Sequence, residues 1–148
     1  MSWKFSLKVV VAVIVNKSGE VLITRRPLHV PHGGLWEFPG GKLEPDEAPA
    51  EALAREIKEE VGIEILSFRF LQEIIHAYST KIVNLLIFEV RDYKGEPSCL
   101  ESQMDLRWVN SKELPLYDFP EANTKIIDLI KQICLDPQCV NKSNIELI

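Results

Sequence analysis

The chain has 148 residues, of which 17 are Lys or Arg and 22 are Asp or Glu, giving a net charge of −5; that length suits one domain. Hydrophobic residues make up 46% and charged residues 26%, ordinary soluble usage that argues against disorder, collagen and coiled coil. The acidic balance argues against a broad electropositive face, so no stable nucleic-acid binding is expected, and a polyanionic ligand would need local cations or a metal. The longest wholly apolar run, residues 9–15, is too short to span a bilayer. No small-residue cleavage site follows it, so residues 7–15 are predicted to be a strand covered on both faces. Asn16-Lys17-Ser18-Gly19-Glu20 supplies turn chemistry, and residues 21–25 return as a second strand. Residues 27–34 read as a loop, and Pro39-Gly40-Gly41 as a stretch needing unusual backbone dihedrals. The helix signal is strongest over 49–61, with Pro49 in the first turn, Gly62 just past the end, and Leu53, Ile57 and Val61 repeating every fourth position; Ala48 is a poor N-cap. Further strands are predicted at 63–75, 82–93 and 106–109, and a second helix at 121–134. The domain is expected to span 1–135, with a polar, fraying tail at 136–148. Cys99, Cys134 and Cys139 are odd in number and lack metal-ligand spacing, which suggests free thiols in a reducing, cytoplasmic compartment.

On a helix over 49–61, Ala50, Leu53, Ala54, Ile57 and Val61 share one arc, and Glu56, Glu59 and Glu60 share the next. Like charges at these spacings repel by roughly 0.2–0.5 kcal/mol per pair. Carboxylates in the last turn also oppose the helix dipole, by about 0.3–1 kcal/mol each. Hard divalent cations would compensate such a cluster. A solvated acidic face neutralised by Arg55 and Lys58 explains the helix equally well, and the residues before it decide.

From Gly41 there are five residues to Glu47 and seven more to Arg55, followed by Arg55-Glu56-Ile57-Lys58-Glu59-Glu60-Val61-Gly62-Ile63. This resembles the Nudix box, G-x5-E-x7-R-E-U-x-E-E-x-G-U with U aliphatic, at every specified position. Chance agreement is below about one window in 10⁸ at ordinary residue frequencies. The resemblance implies an α+β Nudix fold, a mixed β-sheet packed between helices, in which the box holds divalent metal, Mg²⁺ or alternatively Mn²⁺. Carried onto this chain, Glu56, Glu59 and Glu60 are the implied metal ligands, with a backbone carbonyl of Gly40 or Gly41. Arg55 would orient the carboxylates and Glu47 would join their network.

The flanking runs Glu37-Phe38-Pro39-Gly40-Gly41-Lys42 and Asp118-Phe119-Pro120-Glu121-Ala122-Asn123 are similar to the MutT subfamily, which hydrolyses 8-oxo-dGTP to 8-oxo-dGMP and pyrophosphate. That likeness covers about residues 8–132. It implies that Asn123 reads the oxidised guanine, Phe38 lines the base pocket, Arg26 contacts phosphate and Lys42 lies near the reacting phosphates. It implies also that Glu101 is a further metal-binding or catalytic carboxylate, and Glu56 and Glu101 both stand as candidate general base. Local readings compete: Asn123 as a helix cap, Phe38 as core, Glu101 as a solvated loop residue. Trp36 and Trp108 read as packing groups, and His29, His32 and His76 as ordinary loop and strand residues. Tyr78 lies near where diadenosine-polyphosphate hydrolases of the superfamily carry a tyrosine, so it is a candidate substrate contact and that activity an alternative. CTP or 5-methyl-dCTP pyrophosphohydrolase is another. A nucleotide-sensing Nudix module without catalysis is disfavoured by the complete box. The expected partner is a small nucleotide, no membrane engagement is expected, and the subfamily analogy implies a monomer.

Overall fold

Apolar side chains at all but two positions, Ser6 and Lys8, drive residues 5–14 into an extended strand, β1 (Phe5–Ile14), in the computed structural model of the protein, which describes residues 5–133 and 146–147. Cβ atoms alternate across a strand, and both sets are buried. Val10, Ala12 and Ile14 enter one core, whereas Val11 and Val13, with Val15 just beyond, enter the other. The continuous apolar run therefore reflects burial on both faces.

After the Asn16–Glu20 turn comes β2 (Val21–Arg25), and then two strands too short to carry a hydrophobic pattern, β3 (Trp36–Glu37) and β4 (Gly40–Lys42). Helix α1 (Pro49–Val61) follows, then the long strands β5 (Glu64–Ala77) and β6 (Lys81–Lys94). The chain continues through β7 (Asp105–Val109), a 3₁₀ turn at Ser111–Leu116, α2 (Glu121–Gln132) and β8 (Glu146–Leu147). The five-stranded sheet has the order β4-β1-β6-β5-β8, and a three-stranded sheet has the order β3-β2-β7. β1 runs parallel to β6 and antiparallel to β4, so the larger sheet is mixed.

α1 covers one face of that sheet and α2 the other. Ala52, Leu53, Ile57 and Val61 of α1 pack on Val10, Ala12 and Ile14, while Ala122, Ile126, Ile127 and Ile130 of α2 join Val11, Val13, Leu85 and Ile87. Each large side chain so buried contributes about 1.5–3 kcal/mol. Strand β4 lies beside β1 with Gly40 opposite Val11 and Lys42 opposite Val9, which puts the start of the acidic motif at the sheet edge, beside α1. The predicted fold class and the helix at 49–61 agree with this architecture. The tail predicted at 136–148 lies largely outside the described residues; Glu146–Leu147 pair with Ser67 and Phe68 of β5. Cys99 is an exposed free thiol, and Cys134 and Cys139 lie outside the described residues. Among the described residues, no helix is long and apolar enough to cross a membrane.

Candidate active site

The helix that carries the acidic cluster is closed by a side chain at its start and by backbone at its end. Ala48 has no side-chain acceptor, and the Glu51 carboxylate accepts from its N–H at 3.2 Å instead. Gly62 terminates the helix with φ 77°, its N–H donating to the Lys58 carbonyl at 3.0 Å, a left-handed conformation that glycine adopts without a Cβ penalty. With the apolar arc fixed against the sheet, the neighbouring arc of glutamates turns toward β4.

Arg55 is the hub of that arc. Its Nε and Nη2 donate to the two carboxylate oxygens of Glu47 at 2.7 and 2.9 Å, a bidentate pair. Its Nη1 donates to Glu56 at 2.9 Å and Glu59 at 3.2 Å, and Nη2 also reaches the Lys42 carbonyl at 3.1 Å. One guanidinium thus ties the loop before the helix, the edge strand and two glutamates together. The hydrogen bonds from Arg55, then that from the Glu44 N–H, hold the Glu47 carboxyl down at about 2.

Glu56 and Glu60 point into the protein, whereas Glu59 is half-exposed. The Glu56 side chain is 15% exposed against 51% for Glu59. Burial raises the Glu56 carboxyl above its ordinary value, with Glu59 and Glu101 adding to the rise and Arg55 opposing it. Burial, and then the nearby Glu37, push Glu60 up to about 9, although the Gly40 N–H donates to its Oε2 at 3.2 Å. Glu37 is itself raised, by burial first, against its pairing with Arg26. Glu37, Glu56, Glu60 and Glu101 therefore act on one another electrostatically, with Arg26 opposing the rise at Glu37 and Arg55 opposing it at Glu56. This donor set suits a hard divalent cation. Among the described residues, no three acidic, His or Cys side chains are already gathered at ligating distance, and Glu56 and Glu59 lean on Arg55 instead.

The two glycines act differently from expectation. Gly40 and Gly41 are absent from the positive-φ residues and run as ordinary strand, so the predicted unusual dihedrals are not there. The requirement is clearance. A Cβ on Gly40 would strike the Val10 carbonyl, and one on Gly41 would strike the Glu56 carboxylate.

Glu101 sits in an exposed loop that is nevertheless tied to α1. Ser98 N–H donates to the Val61 carbonyl at 3.0 Å and Leu100 N–H to the Glu60 carbonyl at 3.1 Å. The Gln103 amide donates to the Glu60 carbonyl at 2.9 Å and accepts from the Glu101 N–H at 2.8 Å.

Beside the carboxylates opens a cleft of about 280 Å³, which brings Arg26, Phe38, Gly40, Gly41, Lys42, Tyr78 and Asn123 to one surface. Arg26 is held by the Pro31 carbonyl at 2.8 Å and by Glu37 at 2.9 Å, while its neighbour Arg25 turns to the Gly34 carbonyl at 2.8 Å. Phe38 stacks on Phe119 with centroids 5.2 Å apart. Asn123 is not the helix cap, since Pro120 occupies that position. Trp36 packs against Tyr117, and Trp108 against Tyr93, as the packing reading holds.

Three polar residues of the cleft have no site role in the sequence reading. Glu37 lies in the run 37–42 without a role of its own. Lys81, at a strand start, has its ammonium 5.2 Å from the Tyr78 ring centroid. His32, expected to be an ordinary loop residue, lines the same cleft and has φ 59°. Nothing in local spacing announces them, because each arrives from a separate loop or strand.

The sequence pattern described as NUDIX domain matches residues 10–129. The 8-oxo-dGTP diphosphatase of Escherichia coli K12 is 34% identical over 127 residues, covering 86% of this chain and 98% of that protein. The CTP pyrophosphohydrolase of the same organism is 35% identical over 119 residues, covering 80% and 87%. A solved MutT structure from work on Aliivibrio salmonicida and Vibrio cholerae superposes with a TM-score of 0.75 at 34% identity, covering 86% of this chain and 99% of that one.

Proposed function

The chain belongs to the NUDIX domain family and is a Nudix pyrophosphohydrolase, and from that membership we propose that it hydrolyses 8-oxo-dGTP to 8-oxo-dGMP and pyrophosphate, in the cytoplasm, using Mg²⁺ or Mn²⁺. The observation that carries the reading is the shared cleft: Phe38 and Asn123 lie on one surface with Arg26, Lys42 and the glycine strand that abuts Glu56 and Glu60. Removing oxidised nucleotides from the pool would prevent their incorporation into DNA.

Glu56, Glu59, Glu60 and Glu101, with a carbonyl of Gly40 or Gly41, are the residues to hold the cation. Bound there, a divalent cation would neutralise phosphate charge and acidify an attacking water. Arg55, fixed by Glu47, orients Glu56 and Glu59. Arg26 uses two of its five N–H donors on Pro31 and Glu37, leaving others for a phosphate oxygen. Lys42, the last residue of β4, is a second cation. Glu56 or Glu101 takes a proton from the water, whose oxygen bonds to phosphorus as the α–β phosphoanhydride bond breaks, giving 8-oxo-dGMP and pyrophosphate. The reaction asks the protein chiefly for positioning and charge neutralisation.

For the base, the Asn123 amide offers one donor and one acceptor to a purine edge, and the Phe38 ring supplies an apolar wall. The CTP pyrophosphohydrolase relative supports a second reading, in which the same apparatus serves a pyrimidine. Pyrophosphate release with Mg²⁺ from 8-oxo-dGTP, dGTP, CTP and diadenosine tetraphosphate tests both. We expect kcat/KM to favour 8-oxo-dGTP, and Asn123→Ala to reduce that preference over CTP by about 10- to 100-fold, as loss of a bidentate base contact implies. A preference for CTP, or an unaltered ranking in the variant, would refute the guanine assignment.

A further inference from the structure

We propose that Gln103 is a positioning residue for hydrolysis, its side-chain amide locking the backbone of Glu101 to the C-terminal end of α1. The inference rests on the reading of Glu101 as part of the metal-binding or catalytic set. Two bonds carry it: Gln103 Oε1 accepts from the Glu101 N–H at 2.8 Å, and Gln103 Nε2 donates to the Glu60 carbonyl at 2.9 Å. A backbone N–H only donates and a carbonyl only accepts, so the amide's orientation follows from its partners, and only a side chain with both functions can bridge them.

The bridge joins the two residues whose carboxylates share the site. Glu60 presents its side chain to Gly40 and its carbonyl to Gln103, so a shift of the loop is referred directly to the helix that holds Glu56 and Glu60. Between the bridged residues, Ser102 is in the left-handed region at φ 62°, a conformation that a non-glycine residue holds only where its surroundings fix it. The loop on either side is fastened too. Leu100 N–H donates to the same Glu60 carbonyl at 3.1 Å, and Met104 N–H donates to the Arg25 carbonyl at 2.8 Å. An exposed loop glutamate would otherwise sample many positions. Here hydrogen bonds at Leu100, Glu101, Gln103 and Met104 fasten the segment.

The test is a double-mutant cycle on the full chain, with Glu101→Gln and Gln103→Met, the methionine keeping side-chain length without the two bonds, and Gln103→Ala as a second probe. Turnover of the best-cleaved nucleotide is measured with saturating Mg²⁺, together with Tm. We expect Gln103→Met to lower kcat by about 10-fold, the low end for a group that orients a metal-site ligand, with little change in nucleotide KM. In the Glu101→Gln background it should have almost no further effect, because both changes disable one unit. A Gln103 effect that multiplies with Glu101→Gln, or wild-type kcat in both Gln103 variants, overturns the proposal. Full activity in Glu101→Gln itself would instead refute the underlying assignment of Glu101.

Discussion

Gly41 shows how much a missing side chain can matter. Its Cα stands so close to Glu56 that a methyl group there would occupy the carboxylate's place. Gly41→Ala should therefore leave the protein folded, since the overlap is with a side chain that can rotate, yet lower kcat by about 10²-fold, the size expected when a reacting group is misplaced by an ångström. Steady-state kinetics beside a thermal melt would check this, and Glu56→Gln, which keeps the shape but removes the charge, is the comparison. Activity near wild type in Gly41→Ala would mean that Glu56 need not occupy this position. The motif residues were legible because their spacing is local and unusual. The role of Gly41 was not, because it depends on how near a helix side chain comes to a strand. Glu37, Lys81 and Gln103 escaped for the same reason.

Helices were read more fully than short strands. α1 spans the predicted 49–61 because its propensity, apolar period and terminal glycine all agree. β3 and β4, of two and three residues, exist through their partners β2 and β1, and no window that short carries a period. The β5–β6 pair extends to Ala77 and Lys81, beyond its apolar pattern, because hairpin hydrogen bonding continues past the buried stretch. α1 is held chiefly by its apolar arc, not by its glutamates. Ile57, fully buried on that arc, lies directly after Glu56. Ile57→Ala should cost about 2–5 kcal/mol, read as a lower urea midpoint. Loss below about 0.5 kcal/mol would contradict the packing that sets the site.

At the level of the molecule, the acidic site opposes folding when no cation is bound. Glu60 keeps its proton in the fold up to about pH 9, whereas the ordinary value is 4.5. Between those pH values the unfolded chain binds fewer protons, so this group's contribution to stability falls as pH rises. Glu47, held at about 2 against an ordinary 4.5, acts oppositely: its contribution is present above that ordinary value and is lost as pH falls toward 2. The Tm of the protein in chelator should accordingly decline from pH 5 to pH 9, and Mn²⁺ should raise it more at the alkaline end, where ionising Glu60 for the metal costs least. A chelated Tm that climbs over this range would show that Glu60 is not protonated there.

The cleft's walls come from distant stretches of chain. Gly40, Gly41, Glu56, Glu59 and Glu60 lie close together in the chain, while Arg26, Phe38, Tyr78, Glu101 and Asn123 come from separate strands, loops and the last helix. Most of the proposed cleavage apparatus is thus written in one short passage, and the proposed base contacts in scattered ones. On the proposed assignment of Asn123, substitutions along the first turn of α2 would exchange one base preference for another without rewriting the apparatus that breaks the phosphate bond, so descendants of one ancestral hydrolase could diverge in diet while keeping the same teeth.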